Sequence, residues 1–91
     1  MSFETLKEQL IPGAMVVTRK DRTSNLYSSW SPDETYTPPD GPRKLEPRTV
    51  CTMISTSKRH PYDWFYVIAN GTLGWLSYWD IAHVEHTNRS G

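Results

Sequence analysis

Apolar positions recur with one period up to Pro12 and with another beyond Gly13. Phe3, Leu6 and Leu10 fall at helical spacing, Ser2 can cap the first turn, and Pro12-Gly13 ends the pattern. Residues 1–12 therefore read as a short amphipathic helix of about two turns. A helix that short is marginal alone, so its apolar stripe needs a surface, either the body that follows or a partner. From residue 14 onward, β-branched and aromatic residues gather in short runs bounded by charge, Gly and Pro. Five strands are predicted in this way, over residues 14–18, 49–55, 62–69, 72–78 and 81–85. Asn70-Gly71 between the third and fourth is a strong hairpin signal, because a type I′ turn needs positive φ at both central positions.

Residues 28–47 break the pattern. Pro32, Pro38, Pro39, Pro42 and Pro47, with Asp40-Gly41 among them, remove ladder donors and predict a long loop. Loops of this length in a compact domain are usually functional or disordered, which makes this one the first place to look for ligand contact. Within it, Pro39-x-x-Pro42-x-Lys44 has the spacing of a polyproline II ligand, and the alternative reading is an ordinary Pro-rich turn. Short antiparallel strands with little helix predict an all-β chain, closed as a small five-stranded antiparallel barrel because closure removes exposed edges. The domain is expected over residues 13–87, with 88–91 a flexible tail.

Composition narrows the picture. Ninety-one residues allow one domain, and a hydrophobic share of 36% leaves a small core that the 12% of aromatic residues must help to fill. Ten Lys plus Arg balance ten Asp plus Glu, so the chain lacks the basic excess from which phosphate-backbone binding draws its affinity. The lone Cys51 cannot form an intrachain bridge, and neither a signal-peptide pattern nor a long apolar run is present. An intracellular, cytoplasmic protein without a membrane segment is the expectation.

The segment from Asp63-Trp64-Phe65 through Asn70-Gly71 to Gly74-Trp75-Leu76 resembles the hairpin of SH3-like domains, in which an aromatic pair opens one strand and a Gly-aromatic-aliphatic triplet lies on the next. Residues 45–50 look like the diverging turn of that fold, and Leu26-Tyr27 is similar to the pair that follows its first strand. The resemblance spans residues 13–84 and is closer to the bacterial SH3 branch. It implies an SH3-like barrel, with Tyr27 and Trp64 at ligand positions and Asp33 and Glu34 in the loop that supplies acidic contacts. It also implies a Pro and a Tyr just after the triplet as groove walls; this chain has Ser77 and Asp80 there.

Candidate chemistry follows from these placements. Alternation puts Phe65, Val67 and Ala69 on one face of the third strand and Trp64, Tyr66 and Ile68 on the other, so a core built on the first set turns Trp64 outward. Trp75 is expected beneath the long loop. His83-x-x-His86 would have zinc-like spacing on a helix but points to opposite faces on a strand, and no neighbouring carboxylate or thiol completes a ligand set. Cys51 within a strand reads as an inert core residue rather than a nucleophile.

The sequence thus points to a non-catalytic interaction module with no metal and no cofactor. It would bind a protein or peptide partner, or a second copy of itself, through Tyr27, Trp30, Trp64 and Trp79, with Asp33 and Glu34 orienting a basic or extended peptide. A phage or viral accessory or structural protein would suit its size. The alternative is a nucleic-acid or ribosome-associated barrel that uses Arg19, Lys20, Arg22, Lys58 and Arg59.

Overall fold

The computed structural model describes residues 13–35 and 37–85. The helix expected over residues 1–12 and the tail expected over 88–91 lie outside them. The described chain is all β apart from one 3₁₀ turn. Its strands are β1 (Met15–Thr18), β2 (Ser24–Tyr27), β3 (Arg43–Leu45), β4 (Val50–Thr56), β5 (Trp64–Ala69), β6 (Thr72–Ser77) and β7 (Ile81–Glu85), with the 3₁₀ turn Tyr78–Asp80 between the last two. All pairings are antiparallel, in the order β3-β2-β6-β5-β4-β1-β7.

The sheet is curled. Leu45 of β3 and Val84 of β7, on the two outermost strands, belong to one buried cluster with Val16, Leu26, Cys51, Met53, Phe65, Val67, Ala69, Leu76 and Ile81. A flat sheet would hold β3 and β7 six strand spacings apart, each about 4.8 Å, so only rolling brings both into a common core. Asp80, at the foot of β7, helps to fasten the roll: its carboxylate accepts from the Asn25 backbone N–H of β2 at 3.3 Å and from Arg22 Nη2 at 3.2 Å. Register shifts between Val17 and Thr18 and between Met53 and Ser55 add the local bend and twist that bulges supply.

The hairpin expected at Asn70-Gly71 is present, with φ of 52° and 81° and Ala69 facing Thr72 across its base. Gly74 serves a different purpose. A Cβ there would lie 2.7 Å from Leu26 Cγ and 3.1 Å from the Tyr27 carbonyl oxygen, so β2 can lie this close to β6 only against a glycine.

Two expectations are corrected. The barrel predicted with five strands is a curled sheet of seven, because β2 and β3 escaped the sequence pattern. Ser24-Asn25-Leu26-Tyr27 buries a serine and a leucine, and Arg43-Lys44-Leu45 buries only its last residue, so neither shows apolar alternation. The stretch 28–47 is consequently not loop throughout. Its Pro-rich part also departs from polyproline II: Gly41 has φ of 80°, whereas that helix needs about −75° throughout. Arg43 and Lys44 lie in β3 opposite Leu26 and Asn25, with Lys44 Nζ donating to Asn25 Oδ1 at 2.7 Å. Residues 38–44 are therefore a turn leading into a strand.

Candidate functional site

Burial along β5 alternates as the sequence pattern requires. Phe65, Val67 and Ala69 are buried, while Trp64, Tyr66 and Ile68 on the outer face are only partly so. Trp64 is the first residue of β5 and Tyr27 the last of β2, two strands that flank β6. Trp30 follows at the start of the long β2–β3 connection. The three rings meet edge to face: centroids are 5.5 Å apart for Tyr27 and Trp30, 5.7 Å for Tyr27 and Trp64, and 4.8 Å for Trp30 and Trp64. Each such pair contributes about 0.5–1.5 kcal/mol beyond burial, so the rings fix one another without a ligand. All three remain half-buried. Trp30 Nε1 donates to Thr35 Oγ1 at 2.9 Å, whereas the Trp64 indole N–H has no acceptor among the described residues.

A polar clamp holds the loop that carries Trp30. Ser31 starts a turn in which its carbonyl accepts from Glu34 and Thr35 N–H at 3.1 and 3.3 Å, and its hydroxyl accepts from Asp33 N–H at 3.2 Å. Pro32 is fully buried. Asp33 Oδ1 then accepts from Ser57 Oγ at 2.6 Å and from Arg59 N–H at 3.0 Å, and Arg59 Nη1 returns a bond to the Asp33 carbonyl at 3.2 Å. Buried Ser57 Oγ also accepts from His60 N–H at 2.9 Å. The Ser57 hydrogen bond, followed by that of Arg59 N–H, holds the Asp33 carboxyl below the usual carboxylate range. Asp33, expected to orient a basic ligand, is engaged in fastening the β2–β3 loop to the β4–β5 loop. Glu34 beside it is exposed and has no ion-pair partner among the described residues.

Trp79 lies on the 3₁₀ turn at 71% exposure, its ring against Tyr78 at 5.6 Å rather than within the three-ring cluster. Tyr78 N–H donates to the Asp63 carbonyl at 2.9 Å, which places this turn beside the residue preceding Trp64. The turn that carries Trp79 therefore abuts the start of β5. Ser77 caps the turn by accepting from Trp79 N–H at 3.3 Å. Asp80, where the resemblance would place an aromatic wall, is instead tied to Arg22 and Asn25. Trp75, expected beneath the long loop, is half-buried beside Tyr66 on the outer face, with ring centroids 4.9 Å apart.

The basic candidates fall in two separate connections, and most are occupied. Arg19 pairs with Asp21 at 3.1 Å, Arg22 binds Asp80 and the Trp79 carbonyl, and Arg59 binds the Asp33 carbonyl. Lys20 and Lys58 have no ion-pair partner among the described residues. Cys51 is 1% exposed, and burial pushes its thiol up to about 11, far from a nucleophile's range. Among the described residues, no group of three or more His, Cys, Asp or Glu could hold a metal ion, and no helix is long and apolar enough to cross a membrane.

Sequence reasoning missed Ser57 and offered Arg59 only as a basic surface residue, whereas both position the loop. A serine and an arginine in a polar connection carry no pattern that pairs them with an aspartate in another loop. No protein-family model, no curated protein and no solved structure matches the chain.

Proposed function

We propose that this chain is a non-catalytic interaction module on an SH3-like barrel, and that Tyr27, Trp30 and Trp64, extended by Trp79, receive an extended peptide segment of a protein partner. The observation that carries the reading is the three-ring cluster, fixed before any ligand arrives yet half-open to water. Rigid aromatic rings supply large contact area at low entropic cost, and the Trp64 indole N–H, without an acceptor among the described residues, offers a donor to a peptide carbonyl. Glu34 gives the rim a negative charge that favours a basic residue in the partner. The barrel assignment is supported by the curled sheet, the Asn70-Gly71 hairpin and the Gly74-Trp75-Leu76 triplet on β6. A groove that has Ser77 and Asp80 in place of two aromatic walls is shorter than that of a proline-recognising SH3 domain, so the cluster itself must provide the affinity. An intracellular setting, including an accessory role in a phage or other virus, accommodates such a module.

The test is selection from a random dodecapeptide library on the immobilised chain, with a Trp64→Ala variant as parallel bait. The expected result is a set of related sequences, enriched in Lys or Arg, that appears on the parent and not on the variant. Enrichment of the same sequences on both baits, or of none on the parent, contradicts the proposal.

A further inference from the structure

We propose that a depression on the outer face of β1, β4 and β7 binds a small amphipathic anion, a compact apolar body carrying a phosphate or carboxylate. This site is separate from the aromatic cluster, which is built from β2, β5 and the β2–β3 loop. Its volume is about 750 Å³, and Val17, Val50, Ala82, Arg19, Lys20 and Arg48 are among its lining residues. That volume suits a small ligand.

The floor is apolar. Val17 is 6% exposed although it does not belong to the core cluster, and its cross-strand neighbours are Val50 on β4 and His83 on β7. Val50 is a β-branched residue left 46% exposed, and the core does not account for it. The register shift between Val17 and Thr18 interrupts the regular β1–β7 pairing at this point.

The rim is cationic. Arg48 N–H donates to the Arg19 carbonyl at 3.2 Å, which sets the turn after β3 against the start of the β1–β2 connection and brings Arg48 to the side of Arg19 and Lys20. Asp21 neutralises Arg19, but Lys20 and Arg48 have no ion-pair partner among the described residues. Lys20 and Arg48 therefore line the depression as positive charges that no described carboxylate pairs with, beside the Arg19–Asp21 pair that lines it too. A guanidinium can take two oxygens of a phosphate or carboxylate at once, and an ammonium adds a point charge. Arg48 also holds φ of 62° in the turn after Pro47, a conformation for which Gly or Asn is the ordinary occupant. An arginine that lines a cavity while holding such a backbone conformation is the kind of outlier that marks a functional position.

The experiment is an NMR titration of the full chain with phenyl phosphate, benzoate, inorganic phosphate and phenol. Shifts confined to Val17, Val50, Ala82 and their neighbours are expected with phenyl phosphate or benzoate, at an affinity about tenfold or more above those of inorganic phosphate and phenol. The stronger of the two organic anions identifies the charged group. Lys20→Gln with Arg48→Gln should weaken this binding about tenfold or more, while Trp64→Ala leaves it unchanged. Arg48→Gly separates site from fold: it relieves the backbone strain, so the melting temperature holds or rises while binding falls. Scattered shifts, equal affinity for phenyl phosphate and inorganic phosphate, or full binding by the double variant overturns the proposal.

Discussion

Trp30 and Trp64 meet edge to face with ring centroids 4.8 Å apart, one carried by a loop and the other by the first residue of a strand. What keeps them together lies behind the rings. Asp33, three residues beyond Trp30, is bound to Ser57 and Arg59 in the connection that leads into β5. The clamp and the aromatic contact thus join the same two segments.

Asp33→Ala should therefore release the Trp30 loop while leaving the core intact. Near-UV circular dichroism, which reports the packed rings, should lose intensity, the melting temperature should fall because buried Ser57 Oγ loses its acceptor, and selected peptides should bind more weakly. An unchanged near-UV spectrum contradicts the clamp. The parent should lose the same signal in acid. Because the folded carboxyl is held below its ordinary 3.8, the unfolded state takes up protons first, so the stability contributed by the clamp is present above that pH and is lost as pH falls through the folded value.

Gly74→Ala tests the close approach of β2 to β6. The added methyl carbon would sit 2.7 Å from Leu26 Cγ and 3.1 Å from the Tyr27 carbonyl, and Leu26 is fully buried and cannot swing aside. Overpacking of this kind costs about 1–3 kcal/mol, and each kcal/mol lowers the melting temperature of a domain this size by roughly 4–8 °C. Because Tyr27 must move with β2, peptide affinity should fall as well. A variant that melts with the parent contradicts the packing.

Cys51 predicts a loss of stability in alkali. Burial raises its folded value from 9.0 to about 11, so between those limits the unfolded thiol ionises while the folded one does not, and stability falls as pH rises. By pH 10.5 the loss amounts to about 2 kcal/mol. Denaturant melts at pH 8 and pH 10.5 should therefore diverge more for the parent than for Cys51→Ala, and equal divergence contradicts the assignment.

Nucleic acid should bind weakly, at about 10⁻⁴–10⁻⁶ M and with strong salt dependence, because the chain has no net positive charge and Arg19, Arg22 and Arg59 are already engaged within it. Submicromolar RNA or DNA binding at physiological salt, lost in Arg19→Glu with Lys20→Glu, would instead favour the basic surface.

What the sequence revealed and what it hid follow one physical division. Alternation along residues 64–69 placed Phe65 and Val67 inside and Trp64 outside, because a half-buried strand must present its two faces differently. Asn70-Gly71 announced its turn through backbone sterics alone. Strands β2 and β3 remained hidden because their pairing rests on backbone hydrogen bonds and one or two buried side chains, which leave no periodic trace. The site divides in the same way. Trp30 and Trp64 could be named from residue type and strand alternation and Tyr27 from the resemblance to SH3-like domains, whereas the roles of Asp33 and Asp80 depend on partners in other segments.

The central claim is that the three-ring cluster binds a partner, and calorimetric titration of a library-selected dodecapeptide into the parent and into Trp64→Ala tests it most directly when both melting temperatures are recorded alongside. The account predicts an affinity loss of about 2 kcal/mol or more, roughly thirtyfold, as at interface hot spots, with a modest change in melting temperature because the half-buried ring lies outside the core. Unchanged affinity combined with a large drop in melting temperature would contradict it, and would assign Trp64 to holding the fold together.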